Sequence, residues 1–593
     1  MYRAPVRDVR FVLEDLLDAE RLAASVELAD YSNELARSVL EEAARFAENV
    51  LEPLNRSGDL QGALWTENGV VAAPGFRDAY RQFVAGGWPA LGALPEFGGQ
   101  RSARVLNTAV GEFWASANLA FKLCPMLTHG AAHALELCGS PLQKQTFLPH
   151  MARGDWTGTM VLTESQAGSD LGQVRTRAVP HGDHYRLFGQ KIFITWGDHD
   201  LTDNTIHMVL GRIEGAPAGV RGISLFIVPK VLVNADGSLG QRNDVRCLSI
   251  EDKLGIHASP TCVLAFGEKD GAVAYLVGEP GRGLEYMFIM MNSARLSVGS
   301  EGYAVGERAF QRALEWARTR VQGKPPVAAS TGPLPIIHHP DVKRMLLMMK
   351  AQTEASRALT LYGAFQFDLA EYGEDPDARG AARARGELLT PIIKGWCTEI
   401  GNEVAAIGVQ VHGGMGFIEE TGAAQYMRDV RITTIYEGTT GIQSNDLIGR
   451  KLGRDRGAAM SALLADMERE LGALGGGDTT LEGIRKAALE AVSLLGRATR
   501  AQLEVLATQP ERAMAVSVPY LKLCGYVTAG WLLAKSAAIA RERAGAGEEC
   551  DFHRAKVHTA AFYAAQVLPY AAALARVVVA GGASVIGTDA ALL

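Results

Sequence analysis

At 593 residues the chain is too long for one hydrophobic core, and roughly two to four domains are expected. Its 48% apolar and 21% charged residues are ordinary for a soluble globular protein. The net charge of -7 supplies no general basic field for nucleic acid, and seven cysteines without a C-x-x-C pair argue against structural zinc or a disulfide framework.

The first residues, Met1 to Asp8, lack the apolar core of a signal peptide. Glu14, Asp15, Asp18 and Glu20 come too early for an acid-poor transit peptide, so a cytoplasmic protein is expected. Leu35, Val39, Leu40, Ala43, Phe46 and Val50 recur at helical spacing, and Gly86 to Pro89 and Pro95 to Gly99 read as turns between helices. The pattern then changes to short β-rich runs: Thr157 to Leu162, Lys191 to Thr195, His207 to Leu210 and Ile223 to Val228. Clusters such as His181-Gly182-Asp183 separate them. Helical spacing returns after Gly283, with Phe310, Ala313, Leu314 and Ala317 on one face. Gly323 to Pro326, continuing to Gly332-Pro333, reads as a linker. Gly475-Gly476-Gly477-Asp478 and Ala544-Gly545-Ala546-Gly547 read as breaks around a further helical unit, whose stripe is Ile484, Ala487, Ala488, Ala491, Leu494 and Leu495. The mostly alanine stretch from Thr559 to Val579 contains Gln566, Pro569 and Arg576. It reads as a buried bundle helix rather than a membrane span. Membrane association is the sharper alternative and is not expected.

The changes of pattern mark a helical stretch to about 150, a β-rich one from about 155 and helical ones thereafter. The expected domains are an N-terminal extension (1–40), an N-terminal helical domain (41–154), a middle β-domain (155–283), a helical bundle (284–454) and an additional C-terminal helical domain (455–593), the extension and the additional domain being set off by the family resemblance given below. The fold class is mainly α with an inserted β-domain.

The segment Arg431 to Gln443 carries most chemistry. Glu437 sits behind a β-branched, apolar run and is followed by Gly438, Thr439 and Thr440. Burial of a carboxylate raises its pKa and makes it a stronger base, and Gly438 lets the backbone pass close to a ligand. The plainer reading is a helix N-terminus capped by Thr439 or Thr440. His129, His133, His338, His339 and His412 form no metal pattern. No G-x-G-x-x-G follows a strand, which argues against a nicotinamide site.

The runs Leu162-Thr163-Glu164-Ser165-Gln166-Ala167-Gly168-Ser169-Asp170, Lys191-Ile192-Phe193-Ile194-Thr195-Trp196-Gly197 and Tyr436-Glu437-Gly438-Thr439 together resemble the sequence hallmarks of the acyl-CoA dehydrogenases. Pro95 to Gly99, Arg320-Val321-Gln322 and Gln410 to Gly416 resemble that family in the same order. The N-terminal extension and the C-terminal domain resemble a long bacterial branch acting on fatty acyl-CoA or 3-methylmercaptopropionyl-CoA.

That resemblance implies a helical N-domain, a middle β-barrel and a helical bundle, with FAD as cofactor. It implies oxidation of an acyl-CoA thioester to the trans-2-enoyl-CoA, Glu437 removing the α-proton and flavin N5 taking the β-hydride. Side chains do not accept a hydride, so a cofactor must. Leu162, Thr163, Gly168, Ser169, Phe193, Ile194, Thr195, Arg320, Gln322, Gln410, Gly413, Gly414 and Thr439 are the implied FAD contacts, Thr163 donating to the flavin ring, Ser169 lying near the CoA or FAD phosphate groups, and Arg320 and Gln322 reaching the FAD pyrophosphate. Ser169, Asn292, Arg295, Tyr436 and Gly438 are the implied substrate contacts, with Arg295 helping to bind CoA. Phe193 stands where relatives often carry Trp, Gly323 replaces a usual Phe, and Trp196 replaces a common Asn without explanation. Electron-transfer flavoprotein is the expected acceptor and a homodimer the expected assembly, with Arg320 reaching the neighbouring subunit's FAD. Medium or long straight-chain acyl-CoA is the first substrate expected, and 3-methylmercaptopropionyl-CoA the specific alternative. An acyl-CoA oxidase is a second enzyme reading. A non-catalytic or DNA-associated flavoprotein is a third, disfavoured because phosphate binding needs a basic face.

Overall fold

Helix-forming sequence dominates both ends of the chain and β-branched sequence its middle, and the computed structural model follows that division. It describes every residue except Met1, Ala29, 327–332, 476–477, 545–547 and Leu593. Much of the expected linker before Pro333, and parts of both glycine breaks, thus lie outside the described residues. Contacts group the chain into two units, residues 45–103 with 117–294, and residues 1–44 with 104–116 and 295–593. This division is coarser than the compositional one, because the extension, bundle and C-terminal helices share buried contacts within one unit.

The first unit holds an eight-stranded sheet. Its path runs Val245–Ile250, Thr261–Phe266, His184–Thr195, Ala272–Val277, Ile223–Pro229, Asn204–Ile213 and Trp156–Val161. Arg177–His181 pairs antiparallel with His184–Thr195 and parallel with Asn204–Ile213, which closes the sheet into a barrel. The turn between the two antiparallel strands is Gly182-Asp183, and Gly182 takes φ +63°, a conformation glycine adopts without penalty. Val161, Leu187, Val209 and Phe226 fill one apolar core; Trp156, Met208, Leu225 and Met287 belong to another. A short hairpin, Leu64–Thr66 with Gly69–Val71, lies in the region expected to be wholly helical.

One irregularity in the sheet bears on the site. Thr261 to Leu264 pair with Thr195 to Lys191, but Cys262↔Ile194 is followed by Leu264↔Lys191. His184–Thr195 thus carries one extra residue there, a β-bulge. Phe193 sits in it at φ +60°.

The second unit is helical. Gly283–Thr319, Pro340–Tyr372 and Pro376–His412 are its long helices, the first contributing from Arg295 onward. Two of them approach at glycines: a Cβ added at Gly401 would lie 2.0 Å from the Gly302 carbonyl oxygen. Small residues at that crossing bring Glu301 and Lys394, one on each helix, toward the same region. The C-terminal helices pack on the bundle. A Cβ at Gly525 would lie 2.2 Å from Trp396, and one at Gly395 2.7 Å from Leu521.

Thr559 to Val579 is not one bundle helix. Glu548–Gln566 ends before Pro569, and Tyr570–Ala580 departs at 40°. Ala560, Ala571 and Ala575 are buried, whereas Ala564 is half-buried and Ala580 exposed. Among the described residues, one single helix is long and apolar enough to cross a membrane, Ser517–Arg543, and 78% of its apolar window is buried inside the protein; the bent pair of helices passes the same test only taken together. It is a core helix of this unit. On Thr479–Thr508, Ile484, Ala488, Ala491 and Leu495 are buried as expected, with Ala487 and Leu494 half-buried.

A buried charge cluster ties the chain ends to the bundle. Arg357, 1% exposed, bonds Asp8 at 2.6 Å, Glu112 at 2.6 Å and Glu307 at 2.8 Å. Lys556 from the C-terminal region bonds Asp8 and reaches Glu354 at 2.9 Å. Tyr303 donates its hydroxyl to Glu112 at 3.0 Å.

Candidate active site

In the β-rich unit, the loop after Trp156–Val161 is organised by Glu164, 5% exposed. Its carboxylate accepts the N–H groups of Arg175 (2.8 Å) and Thr176 (2.9 Å), the Thr176 hydroxyl (2.5 Å), and the ammonium of Lys191 (2.9 Å). Burial pushes the Glu164 carboxyl up, but Lys191 and these donors outweigh it and hold it at about 2. Lys191 is fully buried and also donates to the Leu162 carbonyl at 2.7 Å, while the Ile192 N–H donates to the Thr163 carbonyl at 2.9 Å. One ion pair therefore fastens the 162–170 loop to the strand carrying Phe193 to Thr195. No role was expected for Glu164 or Lys191; the sequence signal was their presence inside the two runs.

On that frame the bulge exposes the Phe193 ring, 59% accessible. Thr163 and Thr195 are half-buried, and Gly168 and Ser169 exposed. A Cβ at Gly168 would meet nothing within 4 Å. Ile194 differs from expectation: its side chain is 1% exposed and belongs to the barrel core, so the side chain is not presented to a ligand. The Leu162 side chain likewise packs on a core. Trp196 is a core residue. Its indole N–H donates to the Ala120 carbonyl at 3.0 Å, and its ring stacks on Phe76.

In the helical unit, Arg431–Thr434 forms a short helical turn, and Thr440–Asp446 the helix that follows. Thr439 caps that helix, its hydroxyl accepting the Ile442 N–H at 3.2 Å. The cap and the candidate base are thus both present. Between them the backbone turns left-handed, with Glu437 at φ +55° and Gly438 at φ +90°. A left-handed non-glycine residue costs on the order of 1–2 kcal/mol and persists where its surroundings over-determine it. Here they do. Gln443 donates to the Glu437 carbonyl at 3.0 Å and to the Gly438 carbonyl at 3.3 Å. Arg295 approaches the Glu437 carbonyl at 3.4 Å, and Lys394 donates to the Gly438 carbonyl at 2.6 Å. The Glu437 N–H donates to no group among the described residues.

Burial pushes the Glu437 carboxyl up to about 7; Arg295 and Lys394 oppose the shift and Glu301 adds to it. Burial also lowers Lys394 to about 7. Tyr436 donates its hydroxyl to Glu301. Arg295 is placed differently from its expected CoA role. It is 2% exposed, turned toward the Glu437 backbone and 3.7 Å from Asp446, whose carboxylate also holds Arg450 at 2.6 Å. Asn292 is exposed. Glu301, Lys394 and Gln443 carried no expected role; Lys394 was visible as a lone cation in the apolar run Leu388 to Cys397.

Arg320 and Gln322 are exposed where Gly283–Thr319 ends, and Arg320 reaches the Gln322 side chain at 3.5 Å. Gln410 is exposed at the end of Pro376–His412. Gly413 then takes φ +64°, ψ -143°, a region reserved for glycine. A Cβ at Gly413 or Gly414 would meet nothing within 4 Å. The residues of each unit fit FAD in kind. In the helical unit a guanidinium, two amides and open glycine backbone suit its phosphates; in the β-rich unit an exposed aromatic ring and half-buried threonines suit a flavin.

Comparison with known proteins agrees. Profiles for the acyl-CoA dehydrogenase N-terminal, middle and C-terminal domains match residues 33–155, 159–268 and 281–452, and one described as acetyl-CoA dehydrogenase C-terminal like matches 458–589. The 3-methylmercaptopropionyl-CoA dehydrogenase of Ruegeria pomeroyi is 46% identical over 96% of this chain and 96% of that protein. The chain belongs to the acyl-CoA dehydrogenase family. This acyl-CoA dehydrogenase is also 35% identical, over 96% of each chain, to the broad-specificity linear acyl-CoA dehydrogenase FadE5 of Mycobacterium tuberculosis. Its fold matches Caenorhabditis elegans ACDH-11 in complex with C11-CoA at TM-score 0.74 and 22% identity, covering 96% of this chain and 92% of that one. It matches Bacillus anthracis acyl-CoA dehydrogenase complexed with FAD at TM-score 0.73 and 21% identity, covering 100% and 94%. The chain is an FAD-dependent oxidoreductase whose substrates are acyl-CoA thioesters.

Proposed function

We propose that Glu437 is the base that takes the α-proton of the acyl thioester. The observation carrying this is a carboxyl held near neutrality on an over-determined left-handed turn, with its own N–H left open. A free Glu, at about 4.3, is a weak base for an α-carbon proton. Burial narrows that gap, and the acyl chain narrows it further by excluding water. The Glu437 N–H, aimed at the thioester carbonyl, stabilises the negative charge that develops there as the proton leaves. FAD, when bound, supplies the acceptor for the hydride leaving Cβ. Thr163, Thr195 and the Phe193 ring would hold its flavin; Arg320, Gln322, Gln410, Gly413 and Gly414 would hold the remainder. With the α-proton on Glu437 and the β-hydrogen gone with its electron pair, the Cα–Cβ bond becomes double.

The 46% identity to a 3-methylmercaptopropionyl-CoA dehydrogenase makes that thioester the first substrate we assign. Medium or long straight-chain acyl-CoA is the second, supported by the 35% identity to a linear-chain enzyme. An anaerobic flavin-bleaching panel across both classes tests this. Bleaching by linear acyl-CoA alone overturns the first assignment. We further assign electron-transfer flavoprotein as electron acceptor. Fast reoxidation of the reduced flavin by air would instead make the chain an oxidase. A homodimer is supported by exposed apolar side chains around the glycine turn, Met415, Phe417 and Ile418, beside the candidate FAD contacts. A monomeric mass for the FAD-loaded protein would contradict it. A cytoplasmic location is supported by seven free cysteines.

A further inference from the structure

We propose that Lys394 is a positioning residue for the base: it pins the left-handed turn through the Gly438 carbonyl and supplies the buried cation that keeps Glu437 available as a carboxylate. This rests on the reading of Glu437 as base. A leucine or methionine would complete the packing of the apolar run Leu388 to Cys397 equally well. A buried ammonium instead carries a desolvation cost of several kcal/mol, recovered only through well-placed acceptors and anions. The Lys394 side chain is fully buried, and its nitrogen is 2.6 Å from the Gly438 carbonyl oxygen. The fold brings it there deliberately, through the glycine crossing that joins Pro376–His412 to the helix bearing Arg295 and Glu301.

The charged groups around the base come from every element packed on it. Arg295 and Glu301 stand on Gly283–Thr319, Lys394 and Glu399 on Pro376–His412, and Asp446 and Arg450 follow the base in sequence. Tyr436 is occupied by Glu301. Glu399 accepts the Thr440 hydroxyl at 2.8 Å and meets Lys522 at 3.2 Å. Arg295 is shared with Asp446. Lys394 donates to the Gly438 carbonyl. Burial raises Glu437 and lowers Lys394, and each charge favours the ionised form of the other. An opposite charge within a few ångströms lowers a carboxyl pKa by about 1–3 units, and removing it should raise Glu437 by about one.

The test uses the FAD-loaded protein with Lys394→Met, Lys394→Gln and Lys394→Arg. Gln keeps a donor for the Gly438 carbonyl without the charge; Arg keeps the charge. Two readouts are taken: the acid limb of kcat/KM, and the infrared band of the protonated Glu437 carboxyl. That band is isolated by subtracting the same protein with Glu437→Gln. We expect band and limb to move up by about one unit in the Met and Gln proteins. At neutral pH kcat then falls about fivefold with KM little changed, and recovers at alkaline pH. Lys394→Arg stays near the parent. If the Met protein does not accumulate, the Gln protein carries the same test. An unmoved band and limb in Lys394→Gln, or a loss of rate equal at every pH, overturns the proposal. Full bleaching by Glu437→Gln would instead overturn the base assignment.

Discussion

Arg357→Met keeps the length of the side chain and deletes its charge. Arg357 makes four short bonds, two to Glu112 at 2.8 and 2.6 Å, one to Asp8 at 2.6 Å and one to Glu307 at 2.8 Å. Removing one partner of a buried ion pair costs about 3–5 kcal/mol, because the other charge is left uncompensated. Here three carboxylates lose their common cation, so the upper end applies. Lys556 still serves Asp8, but among the described residues Glu112 keeps only the Tyr303 hydroxyl. At about 2 °C per kcal/mol for a large cooperative unit, Tm falls by roughly 10 °C. Burial already pushes the Glu112 carboxyl up, with Arg357 opposing, and the variant removes that opposition. A carboxyl whose folded pKa exceeds its unfolded value destabilises the fold as pH rises between the two. The deficit therefore grows above the ordinary carboxylate range and shrinks below it. Thermal melts at matched scan rates across pH measure this, with Arg344→Met as control, an exposed pair with Asp341 worth at most about 1 kcal/mol. A variant melting with the parent at pH 8, or a deficit independent of pH, refutes the view that this cluster clamps the chain ends to the bundle.

Glu164→Gln unbalances Lys191 and loosens the 162–170 loop; a loss of roughly 3 kcal/mol of loop order is about 100-fold in FAD affinity, and FAD retained at parental affinity would contradict it. Because the ionised form of Glu437 is the base, kcat/KM should rise with pH through about 7, whereas a flat profile from about pH 5.5 to 8 would show that Glu437 does not limit the reaction. Truncation before Ala458 uncovers Trp396 and Gly395 and should cause aggregation or loss of FAD. A truncated protein that stays soluble and FAD-replete would show the C-terminal helices to be dispensable.

The fold class was legible because periodicity changes abruptly near Trp156 and again near Gly283. Within the β-domain, Ile223–Pro229 announced itself by a β-branched run, but Leu239–Arg242 is exposed throughout and offers no alternation to detect. Ser517–Arg543 was hidden for a different reason: Lys522 and Lys535 interrupt its apolar run, although tertiary packing buries most of it. At the site, Glu437 was readable since its signal is local. The convergence of Arg295, Glu301 and Lys394 on that turn was not, because they reach it from 142, 135 and 44 residues away. Which face of a long helix points inward depends on crossings such as Gly302 on Gly401. The direction of Arg295 shows the same limit: a matching residue type located the position but not where its guanidinium would point.

The proposed reaction turns on one proton. Anaerobic stopped-flow mixing of the FAD-loaded protein with its best acyl-CoA, comparing the parent with Glu437→Gln, tests this directly. Removing the general base should slow flavin bleaching by about 100-fold or more, while FAD content and acyl-CoA affinity stay near parental values. Bleaching by Glu437→Gln at the parental rate would contradict the assignment of Glu437 as the base.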